Sequence, residues 1–430
     1  MFPSFVRRGL IRRTVAVEMS ASQKIMRHIE ALAKISDELG HVTRTFASPA
    51  MRRANKLVAE WMREAGMKTR VDAMGNLIGH YDAQKPDAKI LVLGSHLDTV
   101  RNAGKFDGPL GVILAVACVE HLRRRGIRLP FVVEVIGFAD EEGVRYQTAC
   151  LGSQVLAGRF DLKNLQRRDA RGISMSDAIK RFGGNTAKLK AARVNPKQLL
   201  GYVEAHIEQG PVLEKANLAL GIVTAIAGQT RARIAFFGRA GHAGTTPMSQ
   251  RKDALCAAAE FIATVEKLAK YTNGLVATVG EIAALPGTSN VIPGEVQISL
   301  DVRHEKDSIR EAARTKLKNI ARQIARRRRL RCDYEVVHET AAVSCSQNLS
   351  QLLAQSAKLR QKKLLSLPSG AGHDAAIMAG ITPSAMLFIR CKNGISHHPD
   401  ESVKRQDVQM AFEVLNDFLL LLAQKYSRAR

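Results

Sequence analysis

Acidic and histidine side chains follow several of the apolar stretches that predict buried strands. The segment GSHLDTV carries His96 and Asp98, and a spacing of two places both side chains on one side of an extended backbone. An imidazole that binds a metal ion usually donates its other ring N–H to a carboxylate. We therefore treat His96 as a candidate metal ligand and Asp98 as its supporting carboxylate, although this pair is also common at ordinary protein surfaces.

Three consecutive acidic residues end the stretch FVVEVIGFADEEG. Neighbouring carboxylates resist simultaneous ionisation, and a bound cation removes that cost. One of two adjacent acids can bind a metal ion while the other takes a proton from water, which makes Glu142 and Glu141 candidates. Asp107 in GKFDGPLGV is a further candidate ligand, and its alternative role is to cap the helix that follows.

Two histidine-containing segments complete the set of candidate ligands. His206 lies in AHIEQGP, and the pair His397 and His398 lies in GISHHPDES. Zinc accepts imidazole and carboxylate ligands together, and a site with two metal ions needs a bridging carboxylate. The candidate ligands together predict a metal site: His96, Asp107, Glu142, His206 and His397.

Alternating apolar strands and helices predict how these side chains are positioned. Residues 89–93 and 131–138 are short apolar strands typical of a buried parallel sheet, with an apolar helix between them. Functional groups gather at the carboxyl ends of such strands. After residue 221 the order of elements becomes β-α-β-β-α-β. We therefore predict an α/β catalytic domain, with a mixed, mostly parallel sheet flanked by helices, and an inserted ferredoxin-like α+β lid or dimerisation domain.

The predicted boundaries divide the chain into four segments. These are an N-terminal extension over residues 1–20, a catalytic domain over residues 21–221 and 339–430, and a lid or dimerisation domain over residues 222–338. The first 18 residues carry four arginines before the first acidic residue, Glu18. They resemble a mitochondrial presequence, but we favour translation from Met19 and a cytoplasmic protein. Six cysteines without a CxxC pair indicate a reducing compartment.

A net charge of +25 over 430 residues raises the alternative of nucleic-acid binding. The basic residues are scattered, apart from the N-terminus and the run 326–329, and aromatic residues do not alternate with them. We interpret them as solvated faces and expect no specific nucleic-acid partner. A basic nucleic-acid-binding protein on a retained hydrolase fold stays open, and salt-dependent binding would reveal it. No run of 18 apolar residues occurs, so no membrane partner is expected.

The order of motifs resembles the M20 metallopeptidase-like amidohydrolases. These motifs are GSHLDTV, FDGPLGV, DEEG, HIEQGP, GHAGTTPM, SNVIPG, DVRH, SGAGHDA and ISHHPDE. The resemblance is strongest to the branch that cleaves ureido and carbamoyl groups, which includes allantoate amidohydrolase, N-carbamoyl-L-amino acid hydrolase and β-ureidopropionase. Related exopeptidases usually carry an aspartate at position 206. Within the branch, AIAGQTR, SGAGHDA and MLFIRCKNGISH favour the allantoate enzymes.

The resemblance implies two divalent metal ions per subunit, either Zn²⁺ or Mn²⁺. It assigns His96, Asp107 and His206 to one ion, and Asp107, Glu142 and His397 to the other. Asp107 would bridge the two ions. Glu141 would be the general base, with Asp98 supporting the site.

The resemblance also implies that the inserted domain contacts the substrate. Gln229, Asn290 and Arg303 match its substrate-binding positions, although their residue types alone fit ordinary turns and strands. The guanidinium of Arg303 suits a carboxylate because it can form two parallel hydrogen bonds. His242 in GRAGHAGTTPM would stabilise a developing oxyanion in a partner subunit, which implies a homodimer. Two further residues, in the glycine-bounded loop SGAGHDA, are secondary candidates to line the pocket: His373 and Asp374.

The expected activity is hydrolysis of a ureido or carbamoyl C–N bond in a small molecule that carries a carboxylate. Allantoate, an intermediate of purine nitrogen catabolism, is the expected substrate. N-Carbamoyl-L-amino acids and β-ureidopropionate are alternatives within the same class. A true dipeptidase is a further alternative, which peptide hydrolysis would test.

Overall fold

The computed structural model describes residues 19–428, so most of the predicted N-terminal extension lies outside the described residues. The first elements are α1 (Ala21–Ala33), α2 (Pro49–Glu64), β1 (Lys68–Val71), β2 (Leu77–Tyr81), β3 (Ile90–His96), α3 (Pro109–Arg124) and β4 (Val132–Phe138). Next come α4 (Leu151–Leu156), α5 (Met175–Phe182), β5 (Leu199–Ile207), α6 (Val212–Lys215) and β6 (Leu220–Ile226).

The remaining elements lie in the second half of the chain. The middle part forms β7 (Gly228–Phe237), β8 (Gly241–His242), α7 (Ala254–Lys270), β9 (Val276–Thr278), β10 (Ile282–Leu285), β11 (Val291–Ile292), β12 (Glu295–His304), α8 (Asp307–Arg327) and β13 (Arg331–Thr340). The last part forms β14 (Val343–Ser344), α9 (Gln347–Lys358), β15 (Leu365–Ser369), α10 (Asp374–Met378), β16 (Ser384–Ile389) and α11 (Arg405–Arg428).

A large mixed sheet of nine strands, counted over residues 19–428, forms the base of the fold. Its order is β1-β2-β4-β3-β5-β16-β6-β14, and β15 also pairs with β6. The four central strands β4, β3, β5 and β16 run parallel to their neighbours in this group. The flanking pairs β1–β2, β2–β4, β16–β6 and β6–β14 are antiparallel. The α/β fold class is therefore confirmed.

Helices cover both faces of this sheet, which explains why its central strands are apolar along their whole length. Along β3, Leu91 and Leu93 pack into a core shared with α1, α2, α3, α9 and α11. Val92 faces the other way, into a smaller core with Phe138 and Phe388. This alternation follows from the two-residue period of a strand. Because helices pack against both faces of the sheet, the ends of its central strands have fixed positions.

A second sheet is built from the middle part of the chain. Its described strands follow the order β10-β12-β7-β13, with β9 also paired to β12, and all of the pairings are antiparallel. Helices α7 and α8 cover one face, where Phe261 and Leu317 are buried. The ferredoxin-like order of elements is confirmed. That order predicts one strand between α7 and β12, whereas the structure has two, β9 and β10. Between them, the backbone N–H groups of Gly280 and Glu281 donate to Ser299 Oγ.

The chain passes from one sheet to the other with almost no linker. Strand β6 pairs with β16 in the large sheet, and only Ala227 separates it from β7 in the second sheet. The predicted boundary after residue 221 falls inside β6, because no change of composition marks so short a connection. The division into catalytic and lid domains stays a prediction. Among the described helices, none is long and apolar enough to cross a membrane.

Candidate metal centre and active site

Three neighbouring parallel strands carry candidate side chains to one edge of the large sheet. His96 is the last residue of β3 and pairs with Phe138, the last residue of β4. Glu141 and Glu142 follow β4 after a short turn, and His206 lies near the end of β5. Because parallel strands end at the same edge, residues far apart in sequence meet there.

Asp107 lies at the centre of this group of residues. Its Oδ1 atom is 3.5 Å from His96 Nε2 and 3.2 Å from His206 Nε2. Its Oδ2 atom is 3.2 Å from His397 Nε2, which is itself 3.5 Å from Glu142 Oε1. One carboxylate therefore faces two separate sets of side chains with its two oxygens. The structure brings all five predicted ligands together.

Two of the imidazoles are oriented as metal ligands would be. His96 Nδ1 is 3.0 Å from the carbonyl oxygen of Asp98, and His206 Nδ1 is 2.9 Å from that of Ile207. A carbonyl can only accept, so both Nδ1 atoms carry a proton, and in the neutral ring each Nε2 atom presents its lone pair toward Asp107. The buried Nε2 of His206 has no well-aligned hydrogen bond among the described residues, although Asp107 is near.

Glycine is required at position 108, where the backbone passes directly beside His96. A Cβ atom there would lie 2.4 Å from His96 Cε1, and Gly108 adopts φ +81°. Both the contact and the left-handed conformation exclude most other residues. His397 also has a positive φ of 56°, which is uncommon for a histidine and is concentrated at functional sites.

Several buried carboxylates surround the imidazoles. Burial raises the pKa of Glu142 to about 7 and that of Glu141 well above its usual range, and nearby acids add to both shifts. Asp98 accepts hydrogen bonds from the backbone N–H groups of Glu141 (3.0 Å) and Glu142 (3.1 Å). Asp98 thus links the two strand ends. This donor set fits divalent cations, which would offset the cost of crowding so many carboxylates.

Four groups of described side chains have ligand atoms close enough to share an ion. They are His96–Asp107–His206, Asp107–Glu142–His397, His96–Glu141–Glu142 and Glu204–His206–His373. The first two match the predicted pair of sites and share Asp107. His398, which precedes a proline, lies apart from these groups, with its Nδ1 atom 3.6 Å from Asp400 Oδ2.

Three side chains that the sequence reasoning missed hold Asp107 in place. Gln209 Nε2 and Ser396 Oγ each donate to Asp107 Oδ2 over 2.8 Å. Glu401 accepts from the backbone N–H of Asp107 over 3.1 Å. All three lie inside the segments HIEQGP and ISHHPDE, beside the predicted histidines. Their position next to those ligands was the available signal.

A buried polar network around Glu204, two residues before His206 on β5, was also missed. Glu204 is fully buried and accepts from Ser95 Oγ, Tyr202 Oη and the backbone N–H of Ala375. It thereby connects β3, β5 and α10. An acidic residue inside an apolar strand is costly unless it is hydrogen-bonded in this way.

Of the two secondary candidates, His373 lies beside His206, whereas Asp374 lies deeper in the protein. The His373 ring lies 4.6 Å from that of His206 in an edge-to-face arrangement, and its Nε2 atom is 2.8 Å from Ser369 Oγ. Asp374 is completely buried and accepts from Ser153 Oγ. Asp374 is therefore enclosed by the protein and does not line an open pocket.

Gln229 and Arg303 lie on the second sheet, at its junction with the loop 369–373. Both donate to Asp301, and Arg303 Nη1 also donates to the carbonyl oxygen of Gly370 over 2.7 Å. A cavity of about 910 Å³ lies between this sheet and the loop, and Arg303 and Gly370 line it. These two candidates are thus connected to the loop that carries His373.

His242 and Asn290 lie away from the ligand cluster. His242 lies in a separate two-stranded ladder in which it pairs with Val291, and Asn290 lies in the turn just before that strand. Both residues are exposed. His242 Nδ1 accepts from the backbone N–H groups of Gly244 and Thr245. None of the candidate ligand groups in the described part of the chain includes His242.

Comparison with known proteins agrees with this arrangement. Residues 76–421 match the model of peptidase family M20/M25/M40. The chain is 42% identical to allantoate deiminase 1 of Glycine max (88% of this chain, 85% of that protein). It is 40% identical to N-carbamoyl-L-amino acid amidohydrolase of Geobacillus stearothermophilus (94% and 100%). The crystal structure of an amidase of the hydantoinase/carbamoylase family from Burkholderia multivorans superposes with a TM-score of 0.88 at 31% identity, covering 94% of this chain and 98% of that one. The chain belongs to peptidase family M20/M25/M40.

Proposed function

We propose that this protein is a metal-dependent hydrolase that cleaves a ureido C–N bond of allantoate. The observation that carries the proposal is the contact of Asp107 with three histidines through both of its carboxylate oxygens. That arrangement supports two neighbouring cation sites with a shared ligand. The similarity to allantoate deiminases supports the choice of substrate.

N-Carbamoyl-L-amino acids are the second candidate substrates. The bacterial N-carbamoyl-L-amino acid amidohydrolase is matched over its whole length at nearly the same identity as the plant allantoate deiminases. Both substrate types combine a carboxylate with a ureido group. The two activities therefore share the same reaction and differ in what surrounds the reacting carbonyl.

In the proposed mechanism, side chains of this protein bind the substrate and move the protons. His96, Asp107 and His206 would hold one divalent cation, and Asp107, Glu142 and His397 the other. When bound, the cations supply polarisation of the ureido carbonyl and acidification of water. Zn²⁺ and Mn²⁺ both accept this mixture of ligands.

Glu141 is the proposed general base. It takes a proton from the attacking water and passes a proton to the leaving nitrogen. Its Oε1 atom faces Gly372, where a Cβ atom would lie 3.6 Å away, and the thiol of Cys150 lies 3.8 Å from the same oxygen. Arg303 would bind the substrate carboxylate, and Gln229 and Asn290 would fix its orientation.

His242 would act in the active site of a partner subunit, so we propose a homodimer. In support, His242 is exposed on the separate two-stranded ladder of β8 and β11 and belongs to none of the ligand groups within residues 19–428. A neutral imidazole that donates from Nε2 can stabilise a developing oxyanion.

Replacing Glu141 by glutamine tests the general base. The Glu141→Gln variant should lose about 10²- to 10⁴-fold in kcat because an amide cannot accept the proton. Its metal content, measured by elemental analysis, should equal that of the wild type. Glu64→Gln, at an exposed position on α2, is the matched control. Retained turnover in Glu141→Gln would remove Glu141 from this role.

The adjacent histidines provide a matched test of the metal site. His397→Ala should lower the bound metal from about two equivalents to about one, because His397 contacts both Asp107 and Glu142. His398→Ala should keep full metal content, since His398 contacts Asp400 instead. Elemental analysis after reconstitution with Zn²⁺ or Mn²⁺ measures both variants. Equal losses, or none, would contradict the assignment of His397.

A substrate panel tests the reaction and the substrate. Metal-reconstituted protein is assayed with allantoate, N-carbamoyl-L-amino acids, β-ureidopropionate and dipeptides, and release of ammonia or amino acid is measured. The highest kcat/KM should be obtained with allantoate. A preference for N-carbamoyl-L-amino acids would favour the second candidate substrate, and a preference for dipeptides would contradict ureido hydrolysis.

Mixing two inactive variants tests the role of His242 across a dimer. Glu141→Gln and His242→Ala impair different parts of the same proposed site. After dissociation and random reassociation, a mixture should recover about a quarter of wild-type activity, since half of the dimers are mixed and each mixed dimer has one intact site. Light scattering checks the dimer. A mixture as inactive as its components would indicate that both residues act within one subunit.

A further inference from the structure

Four polar side chains form a square on one face of the second sheet. Strands β7 and β12 pair in antiparallel register, with Gln229 opposite Arg303 and Arg231 opposite Asp301. Residues two apart along a strand point to the same face, so all four side chains share it. The cavity beside the loop 369–373 lies over this face. The square is therefore positioned where a small molecule could contact it.

Asp301 accepts hydrogen bonds from the other three members of this square. Arg303 Nε lies 2.9 Å from Oδ1 and Arg303 Nη2 lies 3.0 Å from Oδ2, a bidentate pairing. Gln229 Nε2 and Arg231 Nε lie 2.6 and 3.1 Å from Oδ2. Asp301 and Arg303 are about a quarter exposed, whereas the Arg231 side chain is 54% exposed. The pairing with Arg303 is the more sheltered and the better aligned.

The bidentate pairing fixes the plane of the Arg303 guanidinium. A guanidinium has five N–H donors, and Asp301 and Gly370 take three of them. The two that remain lie on Nη1 and Nη2, away from Nε, and can pair with a second carboxylate. A free arginine side chain would sample many orientations. Arg303 is held in one, with donors directed away from Asp301.

The same carboxylate fixes the orientation of the Gln229 amide. An ionised carboxylate accepts hydrogen bonds and cannot donate, so the Gln229 group that faces Asp301 is the NH₂ group. The Oε1 atom of Gln229 is then left as an acceptor. Arg303 thus offers donors, whereas Gln229 offers an acceptor, and both assignments follow from one aspartate.

We propose that Asp301 is a positioning residue that selects substrates combining a carboxylate with a ureido N–H group. Arg303 receives the carboxylate, and Gln229 Oε1 receives the ureido N–H. The proposal rests on the proposed ureido hydrolase function. It adds the residue that determines which side chains of the binding face present donors and which present an acceptor. The Arg303–Gly370 contact places this face beside the loop whose Ser369 and His373 adjoin His206.

The test compares how strongly the enzyme prefers a carboxylate before and after Asp301→Asn. For the preferred substrate of the wild type, kcat/KM is measured for the carboxylate and for its carboxamide analogue. The ratio of the two values should fall about tenfold or more in Asp301→Asn, mainly through KM for the carboxylate, because Arg303 loses its bidentate partner. Asp333→Asn, an exposed aspartate on β13 of the same sheet, should keep the ratio unchanged.

A combined variant separates positioning from general damage to the sheet. In an Arg303→Ala background, Asp301→Asn should change the ratio no further, because Asp301 sets the preference for a carboxylate through Arg303, whereas Gln229 faces the ureido group that both compounds share. Circular dichroism and thermal unfolding check that each variant is folded. Equal losses for both compounds, or an unchanged ratio in an active enzyme, would overturn the role of Asp301 alone. A wild-type protein that hydrolyses neither compound would contradict the proposed function and the inference that rests on it.

Discussion

The crowding of buried carboxylates around one aspartate is the constraint on which the rest of this structure depends. Asp107, Glu141 and Glu142 lie together at one edge of the large sheet, where burial opposes their charges. The backbone N–H of each donates to a carboxylate from another part of the chain, Glu401 for Asp107 and Asp98 for Glu141 and Glu142. Parallel strands anchored by helices on both faces provide the rigidity that such a cluster requires.

The two sheets contribute different chemistry to the same region. The large sheet supplies imidazoles and carboxylates, which suit cations. The second sheet supplies Arg303 and Gln229, which suit the charged and polar groups of an organic molecule. The hydrogen bond from Arg303 to Gly370 joins the two. The side chains that suit cations and those that suit an organic molecule therefore belong to different sheets.

The sequence was sufficient to predict the residues that lie at the ends of apolar strands. His96, Glu142 and His206 could be recognised because the change from an apolar run to polar residues indicates where a buried strand ends. The resemblance to a family placed Gln229 and Arg303. Asp301 and Glu204 were not assigned roles, because their functions depend on register and on contacts across strands. An acid within a strand has the same local pattern whether it faces solvent or binds an arginine.

The boundary between the sheets shows a related limit. No sharp change of composition marks the passage from β6 to β7, whereas the hydrogen-bonding partners change across one residue, Ala227. The strands that pair with β6 and β7 lie far away in sequence, so local composition does not indicate which strands they are. The division between β9 and β10 is a similar case, since the backbone N–H groups between them donate to Ser299 on the neighbouring strand β12.

The hydrogen bond between Glu401 and the backbone of Asp107 spans 294 residues of chain. A nascent polypeptide therefore exposes its first ligands long before the residues that complete their surroundings have been made. Contacts of this separation form late and slowly, because a long loop must close first. Until the C-terminal segment docks, the acidic edge has incomplete support. Truncation near the C-terminus would consequently disturb a centre whose principal residue lies in the first third of the chain.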